Sequence, residues 1–454
     1  MIPVLTVAEM KAADAAAPVL VAELVERAGA AVARTAVRMM GGHYGRRVVV
    51  VAGKGLNGAD GRAAAARLTA RGVRALVVDA AVPPPVLPAA DLVIDAAYGT
   101  GFRGEYEAPD PGNARVLAVD IPSGVDGDTG TSCPGAVRAD VTVTFAALKP
   151  GLVLGEGRAR AGVVDVADIG LDASAARIAV VEDADVVQGL PARAADAHKW
   201  RAAVLVIGGS PGMTGAASLA ARAALHSGAG MVQLGVPGMD PSLLAPDEVV
   251  GVPIAETGWG DTLGETAART GAVVIGPGLG RAAATAVDVR AALVTLDASV
   301  VIDADGLFAL GTTGDVSAAL AGRTEATVLT PHEREFERLT GAPVGPDRIA
   351  DVRAAASAFG AVVLLKGPTT VVAAPEGSVA LVTSGGPVLA TAGTGDVLAG
   401  VIAAFLARGV PAFEAAALAA HAHGRAATRF GGEGMVAGDL PAFIARWLTE
   451  VRSG

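Results

Sequence analysis

The sequence predicts an α/β protein of two domains, each a mostly parallel sheet with helices on both faces. Three observations carry this. The chain has 454 residues, more than one hydrophobic core usually organises, because single cores stop growing beyond roughly 250 residues. Short β-branched apolar runs bounded by glycine or polar turns recur along it, as buried parallel strands require. Glycine is abundant at 60 residues while aromatics make up only 3%, so packing must rely on small side chains and glycine turns, the habit of helix-on-sheet contacts.

Taken in order, residues 8–40 read as one or two amphipathic helices. Buried strands are expected at 48–52, 75–78, 92–94, 116–119 and 141–145, with the alanine-rich stretch 61–70 as the helical crossover that a parallel pair needs. A second series of strands is expected at 204–207, 273–275, 300–302, 327–329, 362–365, 370–373 and 379–381. Helices fit 216–227, 353–358, 396–406 and 412–429. The polar, alanine-rich stretch 190–200 is taken as the boundary, giving domains 1–192 and 193–454.

Composition excludes several function classes. Net charge is -10, which argues against a nucleic-acid partner, since binding phosphate backbones needs basic surface. The longest clearly uncharged apolar stretch, 397–407, is shorter than the roughly 20 residues a membrane span needs. The opening MIPVLTVAEM lacks a basic segment and carries Glu9 where an export signal would be apolar, so a cytoplasmic location is expected. A lone Cys133 excludes an intramolecular disulfide and a multi-cysteine zinc site. Small apolar helix faces would permit a homo-oligomer.

The sharpest local signal is TAGTGDVLAG, 391–400, a glycine-rich turn running straight into an apolar helix. Backbone N–H groups at such a turn, together with the helix dipole, favour an anion, and a phosphate is the natural ligand. Asp396 at the helix start can accept a proton from a hydroxyl that attacks phosphorus; the plainer reading is an N-cap aspartate with C-cap glycines. In LLKGPTTVVA, 364–373, Lys366 sits at a strand exit and Thr369 and Thr370 offer hydroxyls, a set suited to nucleotide phosphates. Lysine is scarce here, with only Lys11, Lys54, Lys149, Lys199 and Lys366, so its placement carries information. In TPHEREFERL, 330–339, His332 stands at a helix start, where it caps the helix or meets a ligand. GPGLG, 276–280, and the glycine loop 208–215 let a ligand approach backbone closely. No G-x-x-x-x-G-K-[ST] motif occurs, which excludes a P-loop protein.

Together with VIGGS at Val206, GAGMV at Gly228, IDADGL at Ile302 and HG at His423, these motifs resemble the ribokinase-like NAD(P)H-hydrate dehydratases over residues 200–445. The resemblance implies that Lys366, Gly367, Pro368, Thr369, Thr370, Gly393, Thr394 and Gly395 bind the adenine nucleotide. It implies that Ala216, Gly278, His332 and Asp396 face the hydrated dinucleotide, with Asp396 catalytic. ADP would be the phosphoryl donor, with Mg2+ bridging its phosphates. Gly386-Pro387 stands where the family usually has Asn-Pro, so a side-chain contact near the nucleotide is expected to be lost.

In the first half, GKGLNGADG, 53–61, follows a strand and opens a helix, the geometry in which amides meet a diphosphate. Asp95 and Asp120 stand at strand exits, where open α/β folds bind ligands; either could instead cap a turn. Asn57, Asp95 and Ser123 offer oxygen ligands for a hard cation. With DAAYGTGFRG, AVDIPSGVDGDTG and TFAALKPG, this half resembles the NAD(P)H-hydrate epimerase domain, a Rossmann-like αβα fold, over about residues 5–185. The resemblance implies K+ on Asn57, Asp95 and Ser123. It implies substrate contacts from Leu56, Asn57, Gly58, Ala59 and Asp60, a diphosphate cradle of Gly99, Thr100, Gly101, Phe102, Arg103, Gly104 and Glu105, and catalytic roles for Asp120 and Lys149. Where the family pattern is Gly-Asn-Asn-Gly-Gly-Asp-Gly, this chain has Leu56 and Ala59. Leu56 would remove a side-chain amide, and Ala59 would cost about 1 kcal/mol if its backbone needs positive φ, so reduced epimerase activity is expected.

The expected whole is a bifunctional repair enzyme acting on the hydrates NADHX and NADPHX. The alternatives are a ribokinase-like kinase of a vitamin or sugar hydroxyl with a non-catalytic first domain, and a nucleotide-sensing protein without activity.

Overall fold

The computed structural model describes residues 1–241 and 248–453. It divides into two compact units, Ile2–Ala179 and Val180–Gly454 together with Met1. The division falls earlier than the expected 192/193. The reason is packing: the helix Asp183–Gly189 places Val186, and beyond it Leu190, in the core of the second unit. Asp183 there accepts from both Nε and Nη2 of Arg425 at 2.8 Å and meets His421 at 2.8 Å.

In the first unit a six-stranded sheet runs Arg74–Asp79, Arg47–Ala52, Leu92–Ala96, Arg115–Val119, Val141–Phe145, Val163–Ala167. Every pair is parallel. The chain steps outward from Arg47–Ala52 first to one side and then to the other. Strands 47–52 and 92–96 therefore flank the point where connections go to opposite faces, and such a fold opens its ligand crevice beyond their carboxyl ends. Residues 8–40 form two helices, Val7–Ala15 and Val21–Met40. The first starts at a capping box in which Thr6 Oγ1 accepts from Glu9 N while Glu9 accepts from Thr6 N.

In the second unit the order is Val379–Val382, Thr370–Ala373, Val362–Leu365, Thr327–Leu329, Ser299–Ile302, Ala272–Ile275, Ala203–Ile207, Met231–Pro237, Val250–Ile254. The pairs involving Thr370–Ala373 are antiparallel and the other register pairs parallel. Here the reversal lies between Ala203–Ile207 and Ala272–Ile275, so the loops after them, 208–213 and 276–280, border the crevice. The helix Thr394–Ala407 is buried along most of its length, as expected of an apolar helix laid on a sheet and covered on its far side. Gly400 lets it approach the helix Thr214–His226: a Cβ there would lie 2.1 Å from the Ala220 carbonyl oxygen. No helix among the described residues is long and apolar enough to cross a membrane.

Candidate functional site

In the second unit the glycine turn opens directly into a helix. Gly393 is the N-cap of the helix Thr394–Ala407 with φ 95°, a left-handed conformation costly for residues with a Cβ. A Cβ at Gly393 would also lie 2.7 Å from Leu219 Cδ1. Thr394 donates to the Leu389 and Thr391 carbonyls and ties the turn down. The buried His423 meets the Thr394 carbonyl oxygen at 3.0 Å. Burial pushes its imidazole down to about 4 against that bond, so it is neutral at pH 7 and Nε2 is the donor.

Asp396 lies in the first turn of this helix. Burial raises its carboxyl to about 7, Asp303 adds to the shift, Lys366 opposes it, and Asp305 and Glu335 raise it further. Such a group is half ionised near neutrality and suited to a general base. Lys366, at the exit of Val362–Leu365, reaches across to Asp303 at 2.6 Å, and a Cβ on Gly395 would be only 3.1 Å from its Nζ. Lys366, Gly395, Asp303 and Asp396 therefore share one corner. Asp303 went unassigned in the sequence reading, although IDADGL carries it; its buried position beside a lysine 63 residues away is a tertiary fact.

The residues expected to face the substrate include two that meet at the sheet's reversal, Ala216 and Gly278. Gly278, φ 69°, stands over Met213 and Ala216: its Cβ would lie 2.6 Å from the Met213 carbonyl oxygen and 3.4 Å from Ala216 Cβ. Ser210 Oγ donates to the Gly278 carbonyl at 2.8 Å. His332 fulfils the capping reading, with Nδ1 accepting from Arg334 N and Glu335 N, which leaves Nε2 on a half-exposed ring. Gly386 is extended, and Pro387 opens a short 3-10 turn ending at Leu389, whose carbonyl holds Thr394. Gly386-Pro387 thus adjoins the glycine turn before Thr394, with no side chain at Gly386 to contribute.

In the first unit a cavity of about 670 Å3 opens at the expected crevice. Its walls include Leu56, Asn57, Asp60, Gly99–Arg103, Asp120 and Lys149; Gly58, Ala59, Gly104 and Glu105 do not line it. Gly58 has a different task. A Cβ there would lie 1.9 Å from the Gly53 carbonyl oxygen, so only glycine lets the helix Leu56–Thr69 begin this close to the strand exit. Ala59 corrects the sequence reading: it sits inside that helix and is absent from the positive-φ positions, so it costs no backbone strain. Leu56, more than half exposed, does bring an apolar side chain to the cavity wall.

Asp120 has φ 65°, a conformation that aspartate tolerates better than most residues. Its Oδ1 accepts from the fully buried Lys149 Nζ at 2.7 Å and from Thr144 Oγ1 at 3.1 Å. Lys149 also donates to Thr144 Oγ1 and the Phe145 carbonyl. Asp60 is raised to about 8 by burial, then by Asp120 and Asp14, so it is a neutral hydrogen-bond donor at pH 7. Asp14 and Lys11 also line the cavity and went unnoticed, because nothing in the first helix marks them as facing a crevice.

Asp95 and Ser123 come together: Asp95 accepts from Ser123 N at 2.8 Å and Ser123 Oγ at 2.7 Å. Burial raises Asp95 to about 6 against those bonds. Asn57 lies beside Gly99, and both its amide atoms are buried without a partner, the condition of a group that awaits a ligand. These oxygens fit a hard cation. Among the described residues no group of three or more His, Cys, Asp and Glu could hold a metal.

Comparison with known proteins agrees with this geometry. Residues 204–449 match the family model described as NAD(P)H-hydrate dehydratase, and 21–87 and 79–151 match the YjeF-related protein N-terminus. The chain is 37% identical to the bifunctional NAD(P)H-hydrate repair enzyme of Salinibacter ruber, over 99% of this chain and 96% of the relative. It is 40% identical to that of Mycobacterium tuberculosis, over 83% and 82%. The ADP/ATP-dependent NAD(P)H-hydrate dehydratase of Bacillus subtilis, co-crystallised with ATP and Mg2+, superposes with a TM-score of 0.53 at 28% identity, over 60% of this chain and 98% of that one. With its second unit built on the ribokinase-like pattern and its first on the parallel sheet of the partner domain, the chain belongs to the family of bifunctional NAD(P)H-hydrate repair enzymes.

Proposed function

We propose that the second unit dehydrates the S hydrate of NADH and NADPH at the expense of ADP, and that the first interconverts the R and S hydrates. The observation that carries this reading is the corner where Asp396 and Gly395, at a helix start, meet Lys366 and Asp303, at two strand exits, with Asp396 half ionised near neutrality. Lys366 and the turn Gly367, Pro368, Thr369 and Thr370, with the amides of Gly393–Gly395, hold the nucleotide phosphates and the charge that develops on the transferring group. Ala216, Gly278 and His332 place the hydrated ring over Asp396. Asp396 takes the proton of the ring hydroxyl as its oxygen bonds to the β-phosphorus of ADP, and the bond from that phosphorus to the bridging oxygen breaks to release AMP. The phosphate then leaves with the C–O electron pair, a neighbouring carbon gives its proton to the departing phosphate, and the dihydropyridine is restored. Asp303 holds Lys366 in position. Magnesium bound on the phosphates would neutralise part of their charge.

In the first unit the Asp120–Lys149 pair supplies acid and base at the hydrated carbon, and neutral Asp60 donates a hydrogen bond to the substrate. Asn57, Asp95 and Ser123 would hold potassium, which fixes the two loops beyond the switch-point strands. A cytoplasmic enzyme fits substrates of this kind. The test is to give the full chain purified S and R hydrates with ADP and, in parallel, ATP. Recovered NADH absorbance with AMP and inorganic phosphate is expected from ADP; a stable phosphoester without NADH would identify a kinase and reject the reading.

A further inference from the structure

The second unit holds a cavity that this reading does not use. It has a volume of about 370 Å3, and Arg193, Lys199, Arg201 and Arg408 line it; no lining residue among the described ones is acidic. Arg408 follows directly on the helix Thr394–Ala407. At about 1.5 Å per residue, the 14 residues of that helix put the cavity about 20 Å from the phosphate-binding turn at its other end.

Structural duty explains part of this cluster. Arg408 donates to the Ser227 carbonyl at 3.2 Å and to the Pro191 carbonyl, and Arg452 to the Leu190 carbonyl, so both close chain segments where carbonyls lack partners. The remaining cations are unexplained by it. Lys199 is exposed and has no hydrogen bond or ion pair among the described residues. Arg193 spends one long bond of 3.4 Å on the Gly228 carbonyl and keeps the rest of its five N–H donors. Arg201 alone has a carboxylate, the exposed Asp196 at 3.0 Å. The Ser227 hydroxyl, on the residue whose carbonyl holds Arg408, is buried without a partner. Burial chiefly, and then the like charges of Arg452 and Arg193, lower Arg408 to about 10. Arg193, Lys199 and Arg201 thus gather on one cavity wall with a single carboxylate, Asp196, among their partners, so an anion entering the cavity meets several free N–H donors at once.

We propose that this cavity is a second anion site, remote from the nucleotide corner, for a phosphate monoester or a diphosphate. Guanidinium groups meet phosphate oxygens in pairs, and the lining alanines leave room for the remainder of a small ligand. The site is independent of the catalytic assignments, and either can fail alone.

The test is calorimetry on the full chain in magnesium-free buffer, with the nucleotide corner saturated by a non-hydrolysable ADP analogue. Inorganic phosphate, pyrophosphate, AMP and NADP+ are titrated in turn, with thermal shift as a second readout. At least one is expected to bind one-to-one. Tightest binding by pyrophosphate identifies a diphosphate ligand, and by AMP a monoester. Arg193→Gln with Lys199→Gln, both exposed side chains, is expected to weaken binding at least tenfold, the loss expected from removing charged hydrogen bonds. Arg193→Lys with Lys199→Arg is expected to retain most of it. Failure of all four anions to bind at millimolar concentration, or equal affinity in the double glutamine variant, overturns the proposal.

Discussion

The two crevices use the same architecture for opposite electrostatic ends. Both open beyond the carboxyl ends of parallel strands where the chain reverses direction across its sheet, and both place a glycine-led helix start at the rim. In the second unit the buried carboxylate at the helix start, Asp396, is brought to about 7, poised between forms. In the first, Asp60 is held to about 8 and stays protonated at neutral pH, while its neighbour Asp120 is paired with buried Lys149 at 2.7 Å. Only Asp396 stands in the first turn of its helix, and there burial and the neighbouring carboxylates outweigh the dipole, which by itself would lower the carboxyl.

The comparison can be broken most directly at Asp396. Asp396→Asn is expected to lower the dehydration rate by about 10²–10⁴-fold, the usual contribution of a general base, with ADP binding measured by calorimetry largely intact and epimerisation unaffected. An unchanged rate removes Asp396 from the mechanism. Asp120→Asn should produce the mirror image, with epimerisation followed on the pure R hydrate lost and dehydration of the S hydrate retained. It also strands the Lys149 charge, and removing one partner of a buried pair costs about 3–5 kcal/mol, so the melting temperature should fall as well.

The pH profiles sharpen the contrast. Dehydration needs ionised Asp396, so kcat/KM should climb about tenfold per pH unit on the acid side and level off above about 7. Epimerisation needs neutral Asp60 and should decline above about 8. Parallel profiles for the two activities would show that the two carboxyls do not hold these roles.

The smallest effects concern the departures at the rim of the first crevice. Leu56→Asn restores a side-chain amide at the cavity wall and should lower the KM for the hydrates severalfold, about one hydrogen bond's worth of 0.5–1.5 kcal/mol. Ala59→Gly should bring no such gain, because residue 59 is helical; it should instead destabilise the unit by about 1 kcal/mol, read by denaturant unfolding.

Much of this was legible in the sequence for a physical reason. Buried strands such as 141–145, 327–329 and 362–365 are continuous β-branched runs, and each appears in the structure with the expected bounds. Strand Val163–Ala167 was not anticipated; it lies at the edge of its sheet, is only partly buried and carries Asp165, so no apolar run announces it. The helix Ala283–Thr295 escaped for a related reason, since its apolar residues are spread around the axis rather than gathered on one stripe. The glycine turn before Asp396 was readable because a chemical requirement, free amides at a helix start, imposes a local residue pattern.

By itself, then, the sequence determined the α/β class, the strands with two buried faces, and the glycine-rich and crevice-bordering loops, because each is written in a few neighbouring residues. Only the tertiary structure decided that Asp303 meets Lys366, that Asp60 and Asp14 face Asp120, that Ala59 is helical and Gly58 irreplaceable, and that the second unit begins before its apparent linker. These depend on burial and on charges brought together from distant positions, and neither quantity exists until the chain has folded.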